Sequence, residues 1–94
     1  MLSQLPLDLK QVKPEDLDRE ILRVGMIAEL DAINLYEQMA RMTKNAGMKK
    51  MLLDIAREEK THVGEFQALL LKIDAEQVRE LKNGKREVEE KAGK

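Results

Sequence analysis

The stretch MKKMLLDIAREEKTHVGEFQALLLKI, residues 48–73, decides the fold. Met48, Leu52, Ile55, Glu59, His62, Phe66, Leu69 and Ile73 alternate at spacings of four and three, which places them on one face of an α-helix. Only Glu59 and His62 break the apolar character of that face. A carboxylate in an apolar seam costs on the order of several kcal/mol unless its charge is compensated.

The preceding residues repeat the pattern. Leu22, Met26, Glu29, Ile33, Tyr36 and Ala40 are spaced 4-3-4-3-4, and Glu29 again occupies a place that calls for an apolar side chain. This first helix is expected to begin near Glu15. Pro14 suits a first turn, and Glu15, Asp16 and Asp18 face the positive end of the helix dipole. The helix is expected to stop near Lys44, Asn45 and Gly47, a C-cap and turn, with the second helix starting at Ala46 to Met48. Asp74 to Gln77 resembles a capping box that opens a short third helix through Val78 and Leu81. The expected organisation is an extended N-terminal segment over 1–14, a helical half-bundle over 15–82 and a charged tail or linker over 83–94.

Hairpin geometry brings the two acidic positions level. Glu29 lies before the turn, and Glu59 after it, by nearly the same number of residues. At 1.5 Å per residue both stand roughly 21–24 Å from the turn. One hairpin then supplies two carboxylates and one imidazole. Doubling it about a twofold axis gives four carboxylates and two imidazoles, the ligand set of ferritin-like di-iron and di-manganese bundles. The fold expected is all-α: a two-helix antiparallel hairpin plus a short C-terminal helix, dimerising into a ferritin-like four-helix bundle. A second hairpin is also needed to cover Leu52, Ile55, Phe66 and Leu69. A further apolar stripe on the first helix (Leu17, Ile21, Val24, Ala28, Leu35, Met39 and Met42) and Leu53 and Leu71 on the second point to contacts beyond a dimer or to cover by the third helix.

Composition narrows the chemistry. The net charge of -1 and 2% aromatic content give neither a basic patch nor a stacking platform for nucleic acid. No apolar run is long enough for a membrane or secretory segment, so a cytoplasmic protein is expected. With no cysteine in the chain, metal must be held by oxygen and nitrogen.

Plainer readings compete at each residue. Glu accounts for 12 of 94 residues, so a Glu three before the single His arises by chance about one time in eight and needs its seam context to carry weight. Glu29 could pair with a Lys or Arg across the bundle, although no seam position supplies one. Glu58 and Glu65 read as solvated helix charges. Met26, Met39, Met42, Met48 and Met51 read as core filler rather than ligands. Tyr36, two turns from Glu29 on the same face, is either a core tyrosine or a partner that orients a ligand carboxylate.

The stretch MIAELDAINLYEQ, residues 26–38, followed by REEKTH, residues 57–62, resembles the encapsulated ferritins, two-helix relatives of ferritin and rubrerythrin housed in encapsulin shells. The resemblance covers roughly residues 15 to 85. It implies a ferroxidase centre of Glu29, Glu59 and His62 drawn from two subunits, Tyr36 near it, and dimers joined into a ring-shaped homodecamer inside an encapsulin nanocompartment. It also implies an acidic site for incoming iron, for which Asp31 is the matching position. Ala28 stands where some relatives carry an acid. No shell-targeting peptide is recognisable after Leu81, and some archaeal relatives are fused to the shell protein.

Carboxylate and imidazole ligands suit Fe(II) or Mn(II), and two ions sharing carboxylates can pass electrons together to dioxygen. The expected activity is oxidation of Fe(II) to Fe(III) for iron storage or detoxification. Two alternatives stand beside it: a rubrerythrin-like or manganese peroxide-detoxifying enzyme, and a metal-free helical oligomerisation module.

Overall fold

The computed structural model describes residues 11–93; the segment expected to be extended over 1–14 falls largely outside that range. Three helices follow in order: α1 Pro14–Met42, α2 Ala46–Ile73 and α3 Ala75–Ala92. Pro14 occupies the first turn of α1, with Glu15 and Asp16 beside it.

The turn between α1 and α2 differs from the expected glycine cap. α1 ends at Met42, and the Thr43 N–H donates to the Met39 carbonyl at 3.1 Å. The Asn45 N–H donates to the Thr43 hydroxyl at 3.1 Å, and the Asn45 side chain accepts from the Met48 N–H at 3.0 Å. Two short polar side chains therefore satisfy exposed backbone groups without a left-handed residue. Gly47 lies inside α2.

α1 and α2 pack as an antiparallel hairpin. Its buried apolar residues are Ile33, Ala40, Ala56 and Leu70. On α2 the line facing α1 runs through Leu52, Ala56, Glu59, Val63, Phe66 and Leu70, all buried or half-buried. The apolar seam anticipated from spacing is thus turned partly away from α1: Met48, Leu69 and Ile73 are 55%, 50% and 48% exposed. The small Ala40 and Ala56 let the backbones approach, while bulkier residues are left on the flank. Met39, Met42, Met48 and Met51 are exposed as well, so within one chain they are surface rather than core filler.

Asp74 alone separates α2 from α3. Its Oδ1 accepts from the Gln77 N–H at 2.9 Å, the N-cap bond anticipated from sequence, and its Oδ2 accepts from Arg23 Nη2 at 3.2 Å. One half of this carboxylate starts α3 and the other ties it to α1. The backbone bond from Gln77, together with the hydrogen bond and charge of Arg23, outweighs desolvation and holds the carboxyl below the usual value of 3.8.

α3 does not stop near Leu81. It continues through Asn83-Gly84 to Ala92 and ends at Gly93 in the left-handed region, φ 69°. Gly84 weakens a helix by about 1 kcal/mol relative to alanine, but the surrounding Lys, Arg and Glu are good helix formers. Asn83 donates to Glu80 at 3.0 Å, and Arg86 lies 3.7 Å from Glu90 one turn on. No residue of α3 is buried. Its first turns place Gln77 and Leu81 along an open apolar groove of about 350 Å³ with Arg23, Met26, Ile27, Leu30, Gln67 and Leu70. This groove does not include the Leu17-to-Met42 stripe of α1.

A chain of this mass folded as a compact monomer would expose about 5,500 Å² and have a radius of gyration near 12 Å. The observed values are 7392 Å² and 16.5 Å. A one-sided hairpin and a projecting third helix both add to the exposed area. Among the described residues no helix is long and apolar enough to cross a membrane.

Candidate metal centre

The hairpin register brings Glu29, Glu59 and His62 together. One ligating atom from each lies within 4.8 Å of the other two. His62 Nδ1 is 3.1 Å from Glu29 Oε2, a hydrogen bond, and 3.5 Å from Glu59 Oε2. Both oxygens are acceptors when ionised, so these contacts favour a proton on Nδ1. That is also the nitrogen that faces the two carboxylates. A cation taking the place of this proton would find one nitrogen and two carboxylates already converged.

The carboxylates sit in the hairpin and the imidazole at its edge. Side-chain exposures are 21% for Glu29, 18% for Glu59 and 45% for His62. His62 lies on the flank of α2 where Leu69 and Ile73 are exposed, so the open side of the cluster adjoins uncovered apolar surface.

Neighbouring cations are committed elsewhere. Arg57 pairs with Asp54 at 3.1 Å and Lys60 with Glu37 at 3.0 Å. Among the described residues, His62 is the one basic partner of Glu29 and Glu59. The Lys or Arg counter-ion that a purely structural acid would call for is missing from this cluster. The Glu37–Lys60 bridge across the hairpin is not legible in sequence, because both residues lie off the apolar seam.

Of the other expected site residues, Tyr36 is half-buried on the same helix as Glu29, and among the described residues no hydrogen bond joins its hydroxyl to the cluster. Asp31 stands apart from the cluster. It is 9% exposed and is not one of the three converging groups. Glu58 and Glu65 are exposed, as solvated helix charges are, whereas Glu29 is half-buried.

The Rubrerythrin family profile matches residues 20–93. The chain is 58% identical over 95 residues to a ferritin-like-encapsulin shell fusion protein of Pyrococcus furiosus, a match spanning 99% of this chain and 28% of that protein. It is 37% identical over 68 residues to the encapsulin nanocompartment cargo protein EncC of Myxococcus xanthus, covering 72% of this chain and 52% of that one. The chain thus spans about a quarter and about half of the lengths of these relatives. The crystal structure of the encapsulated ferritin domain from Pyrococcus furiosus superposes with a TM-score of 0.85 at 56% identity, over 100% of this chain and 98% of that one. With its three-helix fold and its glutamate and histidine cluster, the chain belongs to the rubrerythrin family of the ferritin-like superfamily.

Proposed function

We propose that two copies of this chain pair to form a ferroxidase, in which Glu29, Glu59 and His62 of each copy hold two Fe(II) ions as substrate. The observation that carries the proposal is the convergence of all three groups within 4.8 Å, with no Lys or Arg partner for either carboxylate among the described residues. Three side chains are too few to enclose two ions. Two copies supply four carboxylates and two imidazoles, a complete set for a carboxylate-bridged pair. The uncovered flank that carries Leu69 and Ile73 beside His62 is the surface the second hairpin would bury.

The chain's own groups bind and orient the ions. Carboxylate oxygens favour iron or manganese in their divalent states, stabilise the higher charge as it develops, and can bridge. Two adjacent Fe(II) ions would each give up one electron, leaving Fe(III), while dioxygen takes both electrons and two protons from water to depart as hydrogen peroxide. Packing between the two helices keeps the carboxylates close to one another. Tyr36 would orient a ligand carboxylate, and the acidic Asp31 would serve incoming iron. An open assembly of so small a chain encloses no storage volume. The names of the relatives support an encapsulin shell as the container; the reading adds that this shell lies in the cytoplasm and that the dimers within it join into a ring-shaped homodecamer.

Glu59→Ala and His62→Ala are expected to abolish rapid aerobic Fe(II) oxidation, with elemental analysis of the wild-type protein giving two iron ions per pair of chains. Undiminished oxidation by either variant overturns the proposal. The rubrerythrin match supports peroxide as an alternative oxidant, and turnover with hydrogen peroxide against dioxygen separates the two. A metal-free oligomerisation module leaves two half-buried carboxylates without a Lys or Arg partner unexplained.

A further inference from the structure

A close approach of the two long helices lies one turn from the metal cluster on both of them. Gly25 precedes Glu29 by four residues on α1, and Phe66 follows His62 by four on α2. A Cβ placed on Gly25 would stand 2.7, 2.8 and 2.9 Å from Cε1, Cζ and Cδ1 of the Phe66 ring. These distances are well inside carbon–carbon contact at about 3.5–4.0 Å. The ring therefore rests on bare α1 backbone. The other helical glycines are not crowded in this way: Gly47 would meet only the Asn45 side chain, at 3.4 Å, and Gly64 and Gly84 have nothing within 4 Å.

We infer that Gly25 and Phe66 are positioning residues, a notch and a ring that set the α1–α2 separation at which Glu29, Glu59 and His62 converge. The inference rests on the reading of that cluster as a metal centre. A methyl group at Gly25 obliges the ring, or the helix carrying it, to retreat by roughly 0.8 Å to reach ordinary contact. Metal–ligand distances tolerate about 0.2 Å. Displacement that the ring does not absorb by rotating is carried along α2 to His62, one turn away on the same stiff helix. Loss of a hydrogen-bonding partner that orients a metal ligand alters affinity about 10- to 100-fold, and a displaced ligand helix misorients its ligand in the same way. Helix propensity works in the opposite direction, since alanine outranks glycine inside a helix. Weaker metal binding with helicity maintained would not be a by-product of a weakened α1.

The test is anaerobic Fe(II) titration calorimetry on the full chain, with circular dichroism and light scattering on the same samples. Gly25→Ala should bind Fe(II) about 10- to 100-fold more weakly than wild type at unchanged helicity and mass. Adding Phe66→Leu to Gly25→Ala should recover most of the loss, because the smaller side chain makes room for the methyl. Phe66→Leu alone, which empties the notch, should also weaken binding, and it decides the matter if Gly25→Ala fails to assemble. Affinity within about twofold of wild type in whichever single variant assembles overturns the inference, being far short of the expected loss. So does a double variant as weak as Gly25→Ala. Failure of the wild-type protein to bind Fe(II) overturns instead the reading of the cluster as a metal centre.

Discussion

Substituting Glu59 by glutamine should make the metal-free protein more stable while removing its response to metal. The ligating oxygens of Glu29 and Glu59 lie no more than 4.8 Å apart, and both side chains are about four-fifths buried. At an effective dielectric of about 20, two unit charges at that separation repel by about 3.5 kcal/mol. Glutamine removes this repulsion and forfeits the attraction between Glu59 and His62. In buffer alkaline enough to keep the imidazole neutral, that attraction is a weak polar contact over 3.5 Å to a half-exposed ring, worth about 1 kcal/mol or less. The shorter Glu29–His62 hydrogen bond at 3.1 Å survives. After allowance for solvent screening, a net gain of about 1–2 kcal/mol remains, which for a domain of this size raises Tm by roughly 5–15 °C. The assay is thermal melting in chelator, at one protein concentration because assembly contributes to stability. On adding Fe(II) anaerobically the order should reverse. Wild type gains about 2.7 kcal/mol at a hundredfold excess over Kd, and the variant gains little. A metal-free Glu59→Gln that melts at or below wild type would show that the carboxylates are already satisfied by His62, and would refute the argument that they await a cation.

Leu70→Ala, at a site 3% exposed, should destabilise the hairpin by about 2–5 kcal/mol in urea denaturation, since the cavity opens between all three helices. Leu69→Asp, on the uncovered flank, should leave the helicity of the hairpin intact while lowering the mass seen by light scattering to that of a smaller assembly and abolishing Fe(II) oxidation with it. Asp74 provides a pH signature. Its folded-state pKa is depressed, so its contribution is complete above the unfolded value near 3.8 and is lost as pH falls through the lower folded value. Hydrogen exchange at the start of α3 should therefore accelerate only in that acidic window, and Asp74→Asn should remove the pH dependence.

The helices, the level placement of Glu29 with Glu59, and the Asp74 cap are legible because each depends on local spacing along one or two helices. The face that α2 turns toward α1 is not. Periodicity locates a stripe such as the one through Ile55 only to within its own width, and the choice between the Ile55–Leu69 side and the Ala56–Leu70 side is made by how closely two backbones can pack. The small Ala40 and Ala56 decide it, and small residues carry little weight in an apolar count. The Arg23–Asp74 and Lys60–Glu37 pairs escape for a related reason, since they join residues far apart in sequence that follow no pattern. The true end of α3 is hidden because Asn83-Gly84 reads as a breaker, whereas good helix formers on both sides carry the helix across it. Gly25 draws no notice at all in the sequence, because a mid-helix glycine shows its purpose only when the ring opposite it is seen.

A solitary copy carries one imidazole and two carboxylates, with the side bearing His62 uncovered. If oxidation needs twinned copies, then at low abundance the rate climbs with the square of chain concentration, and newly made polypeptides remain inert toward iron until they meet. Encounter becomes a safety interlock, withholding redox chemistry from scattered chains in the surrounding fluid and licensing it only where many have gathered.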